Sequence, residues 1–586
     1  MAAEGDLAQN QANGVPAASH AEAFLLAPDV LGSVLRAAPA GQASICALHA
    51  FKLVCKIWLA VARQVLADAQ WLTPFVEAAE SFLLQIPLLQ AQLDGMHDDD
   101  EDEHSELMQH ISTSLVLGMR AYRSHGRVQE AGCTALAELA GDDDNTAAFV
   151  GTALVCAGAV RAVVEAMTGH MGDVAVQEKG CKAIANFPHN TDTADDITGA
   201  GGVITVMATM SAHVRHLGLQ AAGCWALQWL CRNHAAELGE GGIIVVVEAM
   251  KAHPLDADLQ FEGCVVLAML AANANNLTTI AGIRVVVVAM TAHIRHSGVQ
   301  QFGCMVLAQF SDPFANVDES HTIAIAGAGG IGVVVLAAMT AHTWDLVVQE
   351  NGCKVLRNLA SNHAENIGIT GAGGIRVVVV AMTAHSQAVV QEVGCGVLAT
   401  LSLHSGNRIL DVVAMITDAG GIRVVGAAMK AHTGHAALQE NGCAVLNNLC
   451  AIADNKVEVA GVGGIGLVLA AMTAHVGHVD MQVVCCVTLG NLARRQAENQ
   501  KKVAKAGGIS LVVAAMAAHS KNVDMQEAGC MALSNLGVSG RLLKYIKKEG
   551  GIGVLEAAVV ATGSTAGCQK LRQKLLDKLA KVSLAS

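Results

Sequence analysis

The segment VQENGCKVLRNLA at residues 348–360 has close relatives along the chain: VQEAGCTALAELA, VQEKGCKAIANF, LQENGCAVLNNLC and MQEAGCMALSNLG. No other feature constrains the fold as much. A catalytic constellation is needed once, whereas a phrase that keeps returning marks a structural unit stacked on copies of itself. Aligned on the recurring cysteine, the copies place Cys133, Cys181, Cys224, Cys264, Cys304, Cys353, Cys395, Cys443, Cys486, Cys530 and Cys568 in register. The ten intervals span 435 residues, a mean of 43.5. A second phrase, such as GGIRVVVVAMTAH at 373–385, precedes each copy. A period near forty residues belongs to units of two or three helices and is too long for leucine-rich repeats.

Both phrases carry helical periodicity. Ile375, Val378, Val379 and Met382 fall at i, i+3, i+4 and i+7, which is one apolar stripe. Val348, Gly352, Leu356 and Leu359 form one face of the first phrase, with Glu350, Lys354, Arg357 and Asn358 on another. The valine runs favour strands locally, but they do not alternate with polar residues, and stacking between repeats can override propensity. The Gly-Gly step ends one short helix before the next begins. The predicted unit is therefore short helix, glycine turn, helix, loop, helix.

The phrase VQENGCKVLRNLA resembles the third helix of the armadillo family, with Gly352 at its small position and Asn358 at its asparagine. The resemblance covers roughly residues 110–580. It implies an all-α, armadillo/HEAT-like right-handed solenoid of about 10–11 repeats over residues 105–586, ending in a capping helix.

The recurring cysteine needs no chemistry in this frame. It is a small apolar side chain where helices pack closely. Equivalent positions on stacked helices lie about 8–10 Å apart, too far for a disulfide. The histidines that end the second phrase are His170, His213, His253, His293, His342, His385, His432, His475 and His519. They read as C-terminal caps. GAGGIG (327–332) and GVGGIG (461–466) both satisfy the dinucleotide-loop pattern. The same turn elsewhere reads GAGGIR and DAGGIR, so the glycines are expected to serve a turn between helices.

Composition narrows the class. The 586 residues are 53% apolar and 3% aromatic, with 8 prolines, which suits small-residue helices packed in an array. No apolar run is long enough for a membrane span, and MAAEGDLAQNQANG has no signal-peptide pattern. An intracellular protein, cytoplasmic or nuclear, with 17 reduced cysteines is expected. A net charge of −14 argues against nucleic acid as a partner.

Residues 1–22 are small and polar, with a disordered composition. Residues 23–72 differ from everything after them. Leu26, Asp29, Val30, Leu31, Val34 and Leu35, followed by Val54, Cys55, Lys56, Trp58 and Val61 in LVCKIWLAVA, resemble an F-box. Trp71 stands where a closing tryptophan often occurs. Ala27 replaces the usual proline, with Pro28 one place later, and the stretch from Leu35 to Val54 is long. A helical cap on the solenoid's first core face is the other reading of this segment. Residues 73–104 form a connecting helix and an acidic linker, MHDDDEDEH.

Together the two resemblances imply the target-binding subunit of a Skp–cullin–F-box ubiquitin ligase. Leu26, Pro28, Val30, Leu31, Val34, Leu35, Val54, Cys55 and Trp58 would bind the Skp-type adaptor, and the solenoid would hold a protein substrate. No catalytic residue, cofactor or metal is implied: paired C-x-x-C sets of a RING finger are missing, and no cysteine stands apart from the repeat as a nucleophile. The alternative is a non-enzymatic armadillo scaffold or transport adaptor. Of the positions that hold a tryptophan ladder in importin-type receptors, only Trp225 carries one. The expected target site is the outward face of the third helices, where Trp225, Gln228, Trp229, Val265, Met269, Met305 and Gln309 cluster, with Lys354 and Asn358 further along.

Overall fold

The computed structural model describes residues 112–113, 115–120, 123–141, 153–272, 280–312, 331–404, 406–558 and 566–582. The segments 1–22, 23–72 and 73–104, and with them every F-box residue named above, lie outside the described residues. The chain divides into two compact units, Met1–Val285 and Val286–Ser586. Among the described residues each is built of helices alone, with no strand.

One repeat of the second unit shows the plan. A short helix, His363–Gly371, turns into a second, Gly374–Ala384, and a loop leads to a third, Ala388–Leu403. The turn uses two adjacent glycines for different reasons. Gly373 has a φ of 83°, the left-handed region that side chains avoid. A Cβ on Gly374 would stand 2.5 Å from Ile369 Cγ2 and 2.8 Å from the Ile369 carbonyl oxygen. The valine-rich phrase is helical, and Ile375, Val378, Val379 and Met382 are buried as the periodicity predicts. The GVGGIG segment is this same turn, joining helices Ala453–Gly461 and Gly464–Ala474. It has no preceding strand and so cannot be a dinucleotide loop. GAGGIG begins outside the described residues.

Third helices pack on one another in series. In the first unit these are Gly126–Ala140, Val174–Asn186, the opening turns of Leu217–Ala252, and Ala257–Ala271. In the second they are Ser297–Phe310, Leu346–Ala360, Ala388–Leu403, Ala436–Leu449, Val479–Ala493 and Val523–Leu536. The run Leu217–Ala252 is broken at His234 and Gly239, which restores the short helix and the turn of the unit.

Two features of the repeat phrase escape periodicity. The glutamine of VQE is buried, and in the second unit Gln349 Nε2 donates to the carbonyls of Met339 (2.7 Å) and His342 (3.0 Å). Those carbonyls belong to the end of the preceding helix, where backbone acceptors have no helical partner. Gln177, Gln220, Gln260, Gln300, Gln391, Gln439, Gln482 and Gln526 do the same in their repeats. In nine repeats the glycine before the cysteine faces a methionine: a Cβ on Gly352 would stand 2.6 Å from Met339 Cγ and 2.7 Å from its Sδ. Gly352→Ala is expected to destabilise by about 1–3 kcal/mol through overpacking. In chemical denaturation, the pair Gly352→Ala/Met339→Ala should cost less than the sum of its single variants. Strict additivity would mean that the methionine is not what selects glycine.

The histidines depart from the expectation in part. Each is the residue at which its second helix ends, but the rings of His170, His213, His253, His342, His385, His432, His475 and His519 bond outside that helix. His213 Nε2 donates to the carbonyl of Met171 in the previous repeat (2.7 Å), and His253 to Val214 (2.9 Å). His342, His385, His432, His475 and His519 reach back to Ile294, Thr343, Ser386, Thr433 and Val476 at 2.7–3.1 Å. They are struts between repeats, a role that requires neighbouring copies and is invisible in one.

Candidate functional site

The third helices present their less buried residues to one side, and most of the expected target residues fall on that wall. In the first unit Trp225 is 46% exposed, and Gln228 and Met269 are half-buried. Trp229 and Val265 are each only 3% exposed, which corrects their placement as outward residues. Trp229 packs on the imidazole of His189, ring centroids 5.3 Å apart. His189 is itself held by its Nε2 donating to the Ala185 carbonyl at 2.9 Å. Burial wins at Trp229 because the chain after Val174–Asn186 turns back over the wall at Phe187–His189. Nothing in the helical phrase signals that turn.

In the second unit Met305 and Gln309 are half-buried. Lys354 is tied to Glu350 four residues back on its own helix, 2.6 Å apart. Asn358 Nδ2 donates to Ser311 Oγ (3.2 Å) and the Ala308 carbonyl (3.4 Å) at the end of the previous third helix. Asn448 repeats this on Ser402 Oγ (2.9 Å) and Ala399 (3.3 Å), and Asn491 donates to Asn447 Oδ1 (2.7 Å). In the first unit Asn186 reaches the Ala137 carbonyl (2.8 Å). The asparagine position thus spends its donors on joining repeats, and leaves Oδ1 of Asn358 as its free polar atom on the wall.

The recurring cysteines lie beneath this wall. Cys133, Cys181, Cys224, Cys264, Cys304, Cys353, Cys395, Cys443 and Cys486 are 0% exposed. Burial pushes the thiols of Cys181 and Cys353 up to about 12, so they stay protonated and unreactive at neutral pH. One sulfur contact falls outside the expectation for equivalent positions. Cys485 takes the place of glycine before Cys486, and its Sγ lies 3.6 Å from Sγ of Cys443 on the previous third helix. The pair joins non-equivalent positions, the glycine site of one repeat and the cysteine site of the one before.

Sequence reading missed Trp344, which is 80% exposed in the loop before Leu346–Ala360. It borders a cavity of about 850 Å³ with Arg376, Val380, Thr383 and Asp418, on the side of the second helices rather than on the wall. It also missed His234, whose two ring nitrogens lie 3.2 Å from Asp195 Oδ1 and 2.8 Å from Glu237 Oε2 at the break in its helix. Among the described residues no three side chains converge as metal ligands. No single helix there is long and apolar enough to cross a membrane, and the three helix pairs that together reach that length are bent by 67°, 69° and 70°.

No protein-family model matches the chain, and no curated protein matches it. Solved structures do. A chain from work on a phosphorylation switch that controls the interaction between cadherin and beta-catenin is 12% identical, covers 77% of this chain and 99% of its own, and superposes with a TM-score of 0.54. An engineered protein is 22% identical over 80% of this chain and 99% of its own, with a TM-score of 0.48. A designed armadillo repeat protein is 14% identical over 43% of this chain and 99% of its own, with a TM-score of 0.36. The first of these, with the three-helix repeat described above, shows the fold: an all-α solenoid of stacked three-helix repeats, armadillo-like in architecture.

Proposed function

We propose that this chain is a non-catalytic receptor that captures a protein target on its third-helix wall and presents it to a ubiquitin ligase. The observation that carries the first part is the wall itself, a series of parallel helices whose outward residues change from repeat to repeat while the residues beneath stay constant. Surfaces of this kind bind extended segments by many weak contacts around a few anchors. The cadherin–beta-catenin likeness supports a protein as the bound partner. Exposed Trp225, with Gln228 and Met269 beside it, is the anchor we assign in the first unit, and Lys354 and Oδ1 of Asn358 offer polar contacts in the second.

The ligase part rests on the F-box resemblance of residues 23–72. Leu26, Pro28, Val30, Leu31, Val34, Leu35, Val54, Cys55 and Trp58 would contact a Skp-type adaptor, which in turn holds a cullin. The mechanism is positioning. A tethered target meets the ubiquitin-charged enzyme at high effective concentration, with no chemistry supplied by the receptor. Tagged full-length chain is expected to copurify a Skp-type adaptor and a cullin from cell extract. Leu31→Ala/Leu35→Ala should lose both while keeping its helical circular dichroism. Copurification unchanged by the double substitution, or absent from the parent, leaves the receptor as an armadillo scaffold without a ligase.

A further inference from the structure

Charge is unevenly distributed along the chain. Residues 494–586 hold 15 Lys and Arg against 6 Asp and Glu, and residues 1–493 hold 22 against 45. One end of an acidic protein is therefore strongly basic, and the second unit shows how those cations are arranged.

Ala453–Gly461, Ala497–Lys505 and Gly540–Lys548 are the short first helices of three successive repeats in the second unit. Hydrogen bonds fix which face of the middle one turns outward. Asn499 Nδ2 donates to the Lys456 carbonyl (3.0 Å) on the helix before, and Gln500 Nε2 donates to the Asn535 carbonyl (3.1 Å) at the entry to the helix after. Asn499, Gln500 and Val503 are buried, so Lys501, Lys502 and Lys505 are left exposed. Of these three only Lys501 is within ion-pair distance of a carboxylate, Glu498 at 2.7 Å, which Lys502 also faces from further off. Arg541 and Lys548 are exposed on the third helix.

The turn before Ala497 concentrates the charge further. Lys456 Nζ donates to the Arg494 carbonyl at 3.2 Å, which brings an ammonium beside two exposed arginines. Burial and then the guanidiniums of Arg494 and Arg495 push the Lys456 ammonium below its ordinary value, with Cys450 opposing. Arg495 has a φ of 58° and is the one non-glycine among the described residues in the left-handed region. Strain of that kind persists where surrounding structure enforces it and gathers at functional sites. Neither guanidinium has a hydrogen-bonding partner among the described residues. Like charges held together without a counter-ion repel one another, and a bound anion would relieve that repulsion.

We propose that Lys456, Arg494, Arg495, Lys502, Lys505 and Lys548 form a docking surface for an acidic segment of a partner protein. Complementary charge selects the chemistry, and geometry selects the length. Stacked helices lie about 10 Å apart, and an extended chain advances about 3.3–3.6 Å per residue, so three helices match a segment of about six to eight residues. A long polyanion is a worse fit. Its charge extends past the patch and is repelled by the acidic remainder of the chain, whereas a short peptide is held within a Debye length of about 8–10 Å. This surface is built on the short first helices and the turn after Val479–Ala493, and does not depend on the F-box reading.

The test uses the full chain and a fluorescent peptide of about eight alternating Asp and Glu residues, with the Asn/Gln peptide as its neutral counterpart. The acidic peptide is expected to bind in low salt and the neutral one not. R494Q/R495Q/K502Q/K505Q should bind about tenfold more weakly or worse, with an unchanged melting temperature because all four side chains are exposed. R376Q/K430Q, which removes two charges elsewhere in the same unit, should bind as the parent does. Equal affinity in the quadruple variant, or equal loss in R376Q/K430Q, overturns the site. Tighter binding of a short DNA or RNA duplex than of the acidic peptide overturns the partner class.

Discussion

At pH 10 the second unit is expected to have lost about 5–6 kcal/mol of the stability it has at pH 8. The cause is its buried thiols. Burial pushes Cys353 and Cys486 from an ordinary value of 9.0 up to about 12. Burial does the same to Cys395, helped by Cys443 and Glu392, and to Cys450 against the pull of Lys456. A thiol whose folded value is raised contributes stability that is fully present below 9 and is lost as pH rises from 9 towards 12, because the unfolded chain releases a proton that the folded chain keeps. Each such group is worth about 1.4 kcal/mol per pH unit in that window. Four together approach the whole stability of an ordinary domain, about 5–15 kcal/mol. Urea denaturation from pH 8 to pH 10.5 should show this steep limb. Cys353→Ala/Cys395→Ala, which costs some stability at pH 8, should have a distinctly shallower limb, with Cys443, Cys450 and Cys486 supplying what remains. An unaltered slope would assign the alkaline loss to lysines or tyrosines instead.

The same cysteines illustrate what could be read from sequence and what could not. Their recurrence at a mean of 43.5 residues, with helical periodicity in both phrases, was enough to reach the armadillo solenoid, because every repeat supplies the same evidence again. Contacts between repeats are a different matter. Gln349 on the Met339 carbonyl, His385 on Thr343 and Asn358 on Ser311 each span elements that no single phrase contains. Their residue types were visible, but their partners are set by stacking. The candidate site was legible only as a set of positions. Helical spacing places Trp225 and Trp229 on one side, yet the loop through His189 buries the second and leaves the first exposed. Trp344 and the Arg494–Arg495 turn lie in loops that differ between repeats, where periodicity carries no information.

Trp229→Ala is expected to cost the first unit about 3–5 kcal/mol, the range for emptying a large aromatic site in a core. The ring is 3% exposed and packs at a tilt against His189, so its loss removes the floor on which the Phe187–His189 turn rests. Trp225, one helical turn away and 46% exposed, should behave in the opposite way. Trp225→Ala should change stability by less than about 0.5 kcal/mol, as surface substitutions do, and should weaken target capture, since exposed tryptophans are frequent anchors. The two variants therefore separate wall from core in one experiment: thermal melting reports the first, and binding of the captured target reports the second. If Trp229→Ala instead melts with the parent and loses the target, the ring belongs to the wall. If Trp225→Ala melts early, the wall in this unit has no exposed aromatic anchor, and the target must be held by the polar contacts of the second unit.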